Sequence, residues 1–329
     1  MTLTTLGWDG AWADALADQQ DPALAPARVM AVHRGRVSVR DEDGDALVPV
    51  AGSVTGGPPV VGDWVGVRAG AVRAVLPRRT VLAREGGDLV ANADLCVVVT
   101  SLNHDLNLRR VERFVALARA GGLGVLVACS KGDLSADPVG DAQRVSEHVG
   151  GADVLVFSAH DGWGVAALRA MLSPGRTAVL VGMSGVGKST LVNLLLGEER
   201  QRTLDVRAGD DRGRHATTHR ELFVLDDGAM LIDTPGLRLP RLTGTDGLDE
   251  AFADVEALAA GCRFNDCRHG GEPGCAVQAA IDAGDLDAGR VTHMRKLARE
   301  GMSAQERRER QRSFHRRYRK EIAARTHHR

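Results

Sequence analysis

Aromatic residues make up only 3% of this 329-residue chain, with a single tyrosine, which excludes a broad surface for stacking nucleic-acid bases. No apolar run approaches the ~20 residues that span a bilayer, and Met1 to Gly10 has neither the basic nor the apolar region of a secretory signal. A cytoplasmic protein without a membrane partner is expected. Net charge is also nearly absent, at −1, which argues against a protein whose whole surface coats nucleic acid. That balance is uneven: residues 301–329 hold ten Arg/Lys against three Glu, so a tail of +7 follows a body of −8. Cysteine is scarce and odd in number, five in all. Three of them, Cys262, Cys267 and Cys275, crowd one short segment, which suits a metal site in a reducing compartment better than a disulfide framework. What is present is 43% hydrophobic residues, enough for packed cores in two or three domains.

The chain changes its grammar as it proceeds. Residues 1–27 show little periodicity and read as an N-terminal arm. Residues 28–84 read as a small β-barrel, from short β segments such as Arg28–Val32, Arg36–Arg40 and Asp63–Val67 between Gly/Pro turns. A sandwich or SH3-like barrel fits the same pattern. Over 92–244 apolar strands (Leu95–Thr100, Val125–Cys129, Val154–Phe157, Thr177–Val181) alternate with helical spacing, the signature of a parallel sheet covered by helices. Cys96 and Cys129 lie inside these strands and read as small core residues. Asp226-Asp227-Gly228 marks a hairpin turn. Residues 245–329 turn helical and polar, with the cysteine cluster first and the Arg-rich end last.

Gly182-Met183-Ser184-Gly185-Val186-Gly187-Lys188-Ser189 matches the phosphate-loop pattern G-x-x-x-x-G-K-[ST] between a strand and a helix opening at Thr190. Backbone N–H groups of such a loop surround phosphate oxygens, Lys188 reaches the β and γ phosphates, and the Ser189 hydroxyl ligates Mg²⁺. Asp233-Thr234-Pro235-Gly236 closes a strand downstream; Asp233 is expected to hold the magnesium through water and Gly236 to sense the γ phosphate. Between them, Thr217 or Thr218 completes the metal shell, the choice being open.

Ser130-Lys131-Gly132-Asp133 follows a strand, and a carboxylate at Asp133 accepts from guanine N1–H and the exocyclic amine, whereas adenine N1 repels it. Lys131 can lie along the base, and Ser158-Ala159 can supply an amide to guanine O6. Ligands bind beyond the carboxyl ends of parallel strands, which raises these weak signals together. Their order is unusual: the base-reading segments precede the phosphate loop, as in a circularly permuted GTPase whose Asp233–Gly236 switch leads directly into the last domain.

A barrel-like segment, a permuted GTPase and Cys262-x₄-Cys267-x-His269-x₅-Cys275 together resemble the ribosome small-subunit-dependent GTPase A family, over nearly the whole chain from Arg28. The resemblance implies an OB-fold barrel, a circularly permuted α/β P-loop GTPase domain and a mostly α zinc domain. It further implies GTP hydrolysis stimulated by the small ribosomal subunit during its late maturation, with the subunit and its rRNA as partners and hydrolysis driving release. Two departures stand out. Ser130 replaces the usual Asn of the guanine box and is too short to span to the base N7. Leu237 stands where many GTPases place a water-orienting Gln, so hydrolysis in isolation should be slow, with His215 the resident candidate to position water. His215 matches the histidine of the family's Gly-x-His-Thr-Thr-Thr pattern, although Ala216 replaces the first Thr.

Three cysteines and a histidine within fourteen residues fit a closed tetrahedral site for one structural zinc; reduced structural thiols, or one disulfide with a spare cysteine, are the alternative. Arg263, Asn265 and Arg268 beside it are candidates to face RNA. From Arg307 to Arg329 the spacing predicts an amphipathic helix, with Phe314, Tyr318 and Ile322 on one face. Its arginines and Lys320 either contact RNA phosphates or form a solvated face. A monomer is expected. The rival readings are a nucleotide-regulated RNA-binding zinc/OB protein that does not hydrolyse, and an ATP-specific phosphoryl transferase.

Overall fold

The computed structural model describes residues 2–84, 87–103, 106–197, 220–234, 247–264 and 266–301, in two units, 1–240 and 241–329. The first unit opens with a 3-10 turn, Leu3–Leu6, and helix α1 (Gly10–Ala17), whose N-cap Asp9 accepts a hydrogen bond from Trp12 N–H. The segment expected as an arm is therefore ordered. Leu3, Leu6 and Trp12 are buried, and Trp8 meets Trp64 edge-on at 4.7 Å. The i, i+4 spacing of the two tryptophans and the apolar residues around them explain it: the segment covers the outside of the barrel.

Strands β1 (Ala25–His33), β2 (Arg36–Arg40), β3 (Asp45–Thr55), β4 (Trp64–Arg68) and β5 (Ala71–Val75) pair in the order β1-β2-β3-β5-β4, and β4 returns to β1 to close an OB-like barrel. Period-2 alternation sends Val29, Val37, Val39, Val65 and Val72 inward. Residues 81–84, expected in the barrel, belong instead to a separate hairpin of β6 (Val81–Arg84) and β7 (Gly87–Ala91).

Beyond it come β8 (Leu95–Ser101), α2 (Leu108–Ala120), β9 (Gly124–Ser130), α3 (Pro138–His148), β10 (Asp153–Val156), α4 (Val165–Ala170), β11 (Thr177–Val181), α5 (Lys188–Leu196), β12 (Glu221–Val224) and β13 (Met230–Asp233). Strands β10-β9-β8-β11-β13 are parallel, and β12 is antiparallel to β13. Near-continuous apolar runs in β8, β9 and β11 suit strands covered on both faces. Chain order reverses between β8 and β11, so a ligand crevice is expected beyond their carboxyl ends.

Strand β12 also pairs with β1 through Ala31 and Glu221, making barrel and parallel sheet one eleven-stranded sheet. The Arg28 guanidinium fastens this junction. It is 2% exposed and donates to the carbonyls of Leu6, Gly62 and Asn92 and to Thr177 Oγ1, beneath the ring of Trp64. Burial pulls its pKa down to about 10, offset in part by Asp94 and Asp63.

The second unit holds α6 (Leu248–Ala251), α7 (Ala253–Ala259), α8 (Ala276–Ala283) and α9 (Ala288–Gly301). Arg290 of α9 is buried and paired with Asp254 of α7 at 2.6 Å. Among the described residues, no helix is long and apolar enough to cross a membrane.

Candidate nucleotide site and metal cluster

The phosphate loop leaves β11 and enters α5. Gly182 adopts φ +146°, and a Cβ there would stand 2.3 Å from the Val99 carbonyl oxygen, so only glycine fits where the loop turns over β8. Gly187, at φ +92°, is the N-cap of α5 and aims the first helical N–H groups across the loop. Lys188 folds back over the loop: its ammonium donates to the carbonyls of Gly182 and Met183, both at 2.7 Å. Desolvation lowers its pKa to about 8, partly offset by the carboxylate of Asp233. Asp233 is 3% exposed at the end of β13, and the next residue, Thr234, donates its hydroxyl to the Leu180 carbonyl at 2.5 Å. Met183, Ser184, Gly185, Ser189 and Thr190 are half-buried or exposed on this rim.

The base-reading candidates lie beside this loop. Ser130 ends β9 and is 2% exposed; its hydroxyl is 2.7 Å from the Val186 carbonyl of the phosphate loop and 3.0 Å from the Thr100 carbonyl of β8. Lys131 follows in the left-handed region at φ +59°. Gly132 N–H then donates to the Phe157 carbonyl, tying the loop after β9 to the loop after β10. Asp133 is exposed. Ser158 is buried, and its N–H donates to the Trp163 carbonyl at 2.8 Å, so in this loop Ala159 is the better placed of the two to offer an amide to a base. Asp161 is held below the ordinary carboxylate range, chiefly by the Ser158 hydroxyl.

Sequence reasoning missed Trp163. Half exposed, its ring lies against Gly132, where a Cβ would stand 2.6 Å from the ring edge. The Gly-Trp-Gly run was the available signal. The remaining candidates, His215, Thr217, Thr218 and Gly236, with Ala216 and Leu237, lie outside the described residues.

In the second unit, Cys262, Cys267, His269 and Cys275 converge, with donor atoms all within 4.8 Å of one another. Cys262 and Cys275 sulfurs are 3.9 Å apart, and His269 Nδ1 lies 3.6 and 3.5 Å from them. A tetrahedral zinc with bonds of about 2.3 Å to sulfur and about 2.0 Å to nitrogen separates its donors by about 3.5–3.8 Å, so the set fits that ion. Local structure prepares it: Cys275 is the N-cap of α8, its sulfur accepting from Gln278 N–H at 3.3 Å. His269 is held in the left-handed region at φ +55°. Arg263 lies over the ring of Phe264 at 5.6 Å, Arg268 is exposed, and Asn265 and residues 302–329, which include the expected basic helix, lie outside the described residues.

A phosphate loop after β11, preceded in the chain by candidate base-reading loops after β9 and β10 of the same sheet, fits the class of circularly permuted P-loop GTPases. Residues 75–243 match the model of the RsgA GTPase family. Relatives named small ribosomal subunit biogenesis GTPase RsgA are 43% identical in Opitutus terrae, over 91% of this chain and 90% of that one. The relative in Streptomyces coelicolor is 46% identical, over 91% and 86%. The chain belongs to the RsgA GTPase family. In structure it is similar to YjeQ from Thermotoga maritima, with a TM-score of 0.63 and 26% identity over 84% of this chain and 98% of that one. It shares its fold with YloQ, described as a circularly permuted GTPase, at a TM-score of 0.62, covering 84% of this chain and 95% of that one, with 24% identity.

Proposed function

We propose that this GTPase serves small ribosomal subunit biogenesis, binding the subunit and its rRNA in the GTP state and leaving after hydrolysis. The observation that carries the reading is the Ser130–Val186 contact, which ties the candidate base-reading loop to the phosphate loop and so supports their acting together. The names of the relatives support the ribosomal partner. In this reading Gly182–Thr190 cradle the phosphates, Lys188 exchanges its contacts with loop carbonyls for β- and γ-phosphate oxygens, and Asp133 with Lys131 and Ala159 reads guanine. Ser189 and Asp233, with Thr217 or Thr218, would hold magnesium, which neutralises charge on the phosphates. Lys188 and the Gly236 amide stabilise charge on the γ phosphate, and His215 orients water when the subunit is bound. Cys262, Cys267, His269 and Cys275 would hold one zinc, whose role with four protein ligands is structural. The protein acts as a cytoplasmic monomer.

The test is GTP turnover with and without purified small subunits across a salt series, using wild type and Lys188→Ala. Acceleration of well over tenfold, lost in the variant and falling as salt rises, is expected. Acceleration below about tenfold, a barrier change of ~1.4 kcal/mol, overturns the reading of the subunit as activator. Equal hydrolysis in wild type and Lys188→Ala removes this site as the seat of the activity. Sedimentation of the free protein tests the monomer.

A further inference from the structure

Ser130 is the residue at which this chain departs from the guanine box, and its surroundings give it a definite task. It is almost fully buried, and both oxygen atoms within reach of its hydroxyl, Thr100 O and Val186 O, are carbonyls that only accept. A serine hydroxyl carries one proton, and that proton is used here, on the 2.7 Å side toward the phosphate loop. The serine's own carbonyl accepts from Leu102 N–H at 2.9 Å, holding the residue to the end of β8. A Cβ placed on Gly187 would come within 3.8 Å of the serine side chain, so Ser130 sits against the loop backbone on the phosphate side of the crevice. Guanine N7 is an acceptor and needs a donor; the Ser130 side chain has none left.

We propose that Ser130 is a positioning residue that fastens the phosphate loop to the base-reading loop and leaves guanine N7 unread, so that guanine is chosen through its Watson–Crick edge and O6 alone. The inference rests on the nucleotide-site reading above and deepens it. An amide at this position has two N–H donors, enough to hold a loop carbonyl and keep one for the base; a hydroxyl must do one or the other.

The experiment measures displacement of a fluorescent mant-GDP from the full chain by GDP and by 7-deaza-GDP, in which a C–H replaces N7. Wild type is expected to bind the two within about twofold. Ser130→Ala, which frees the loop, should weaken both equally, by about fivefold to tenfold, the effect of one lost buried hydrogen bond. Ser130→Thr keeps the hydroxyl and should restore most of that loss, while Ser130→Asn should acquire a preference for GDP over 7-deaza-GDP of about fivefold or more. Thermal melts of each variant separate a loosened site from an unfolded one, and Ser130→Thr and Ser130→Asn carry the test should Ser130→Ala not fold. A tenfold preference of wild type for GDP over 7-deaza-GDP, or unchanged binding in a folded Ser130→Ala, overturns this inference while leaving the nucleotide site in place. Failure of wild type to bind mant-GDP, or equal binding by Lys188→Ala, overturns the site reading and this inference with it.

Discussion

The nucleotide site and the metal cluster are built by opposite means. Residues 130–133, 157–163, 182–190 and 233–234 are distant in sequence, and the ends of β9, β10, β11 and β13 bring them together. Cys262, Cys267, His269 and Cys275 span fourteen residues, joined by turns and one helix N-terminus, with no strand among the described residues of that span. In the first case the sheet and bonds such as Ser130–Val186 and Gly132–Phe157 hold the loops side by side. In the second, three sulfurs and an imidazole converge within 4.8 Å of one another, and an ion held there would supply much of the local stability. Damage should therefore spread differently from the two sites.

The sharpest contrast is expected from metal removal. Chelation, or Cys275→Ala, should unfold the second unit, where a structural zinc held by the four donors would contribute on the order of 10 kcal/mol, with mant-GDP affinity unchanged. Loss of helical circular dichroism at constant mant-GDP binding is the expected pair of readings, and equal loss of both would erase the contrast. Next comes the nucleotide side: Lys188→Ala should reduce GTP hydrolysis by about 100-fold, as removal of a single charge-stabilising donor commonly does, without moving the zinc content. Arg28→Met should cost the first unit about 3 kcal/mol, because three carbonyls and Thr177 lose their buried donor, read as a lower urea midpoint. Gly132→Ala should weaken mant-GDP binding by about tenfold, since its Cβ meets Trp163 and Val156 at 2.6 and 2.8 Å, with partial recovery on adding Trp163→Ala. The smallest effect is at α1. Asp9 is held at about 2 by Arg79, so its contribution is present above pH ~4 and fades as pH falls toward 2. Asp9→Ala should cost about 1 kcal/mol at neutral pH, chiefly the lost helix cap, because the exposed ion pair is screened.

How much of this could be read in advance also differs between the two regions. The four candidate metal donors stand close in sequence, so Cys262 to Cys275 could be picked out as a cluster before any fold was known. The phosphate loop was legible because its pattern carries its own context of strand, turn and helix. The barrel was legible as alternation, but its limits were not: β6 alternates like its neighbours, and only pairing with β7 removes it. The N-terminal segment escaped because its burial depends on Trp64 and Arg28, remote partners that a local pattern cannot supply. Ser130 is the instructive case. Its sequence position suggested a weakened reader of the base, whereas its task became visible only once the loop carbonyl of Val186, 56 residues on, was found against it.

One consequence of the Ala31–Glu221 pairing concerns what the protein can do without. Strand β12 has β13 on one side and would otherwise present a bare edge on the other, the kind of open strand that recruits another chain. The barrel fills that position, and its Arg28 reaches Thr177 at the root of the strand that feeds the phosphate loop. Barrel and GTPase domain are thus poor candidates for exchange as separate modules. A shuffled or truncated chain that kept the nucleotide residues and lost the barrel would gain a sticky edge at the moment it lost the guanidinium anchoring its central strand.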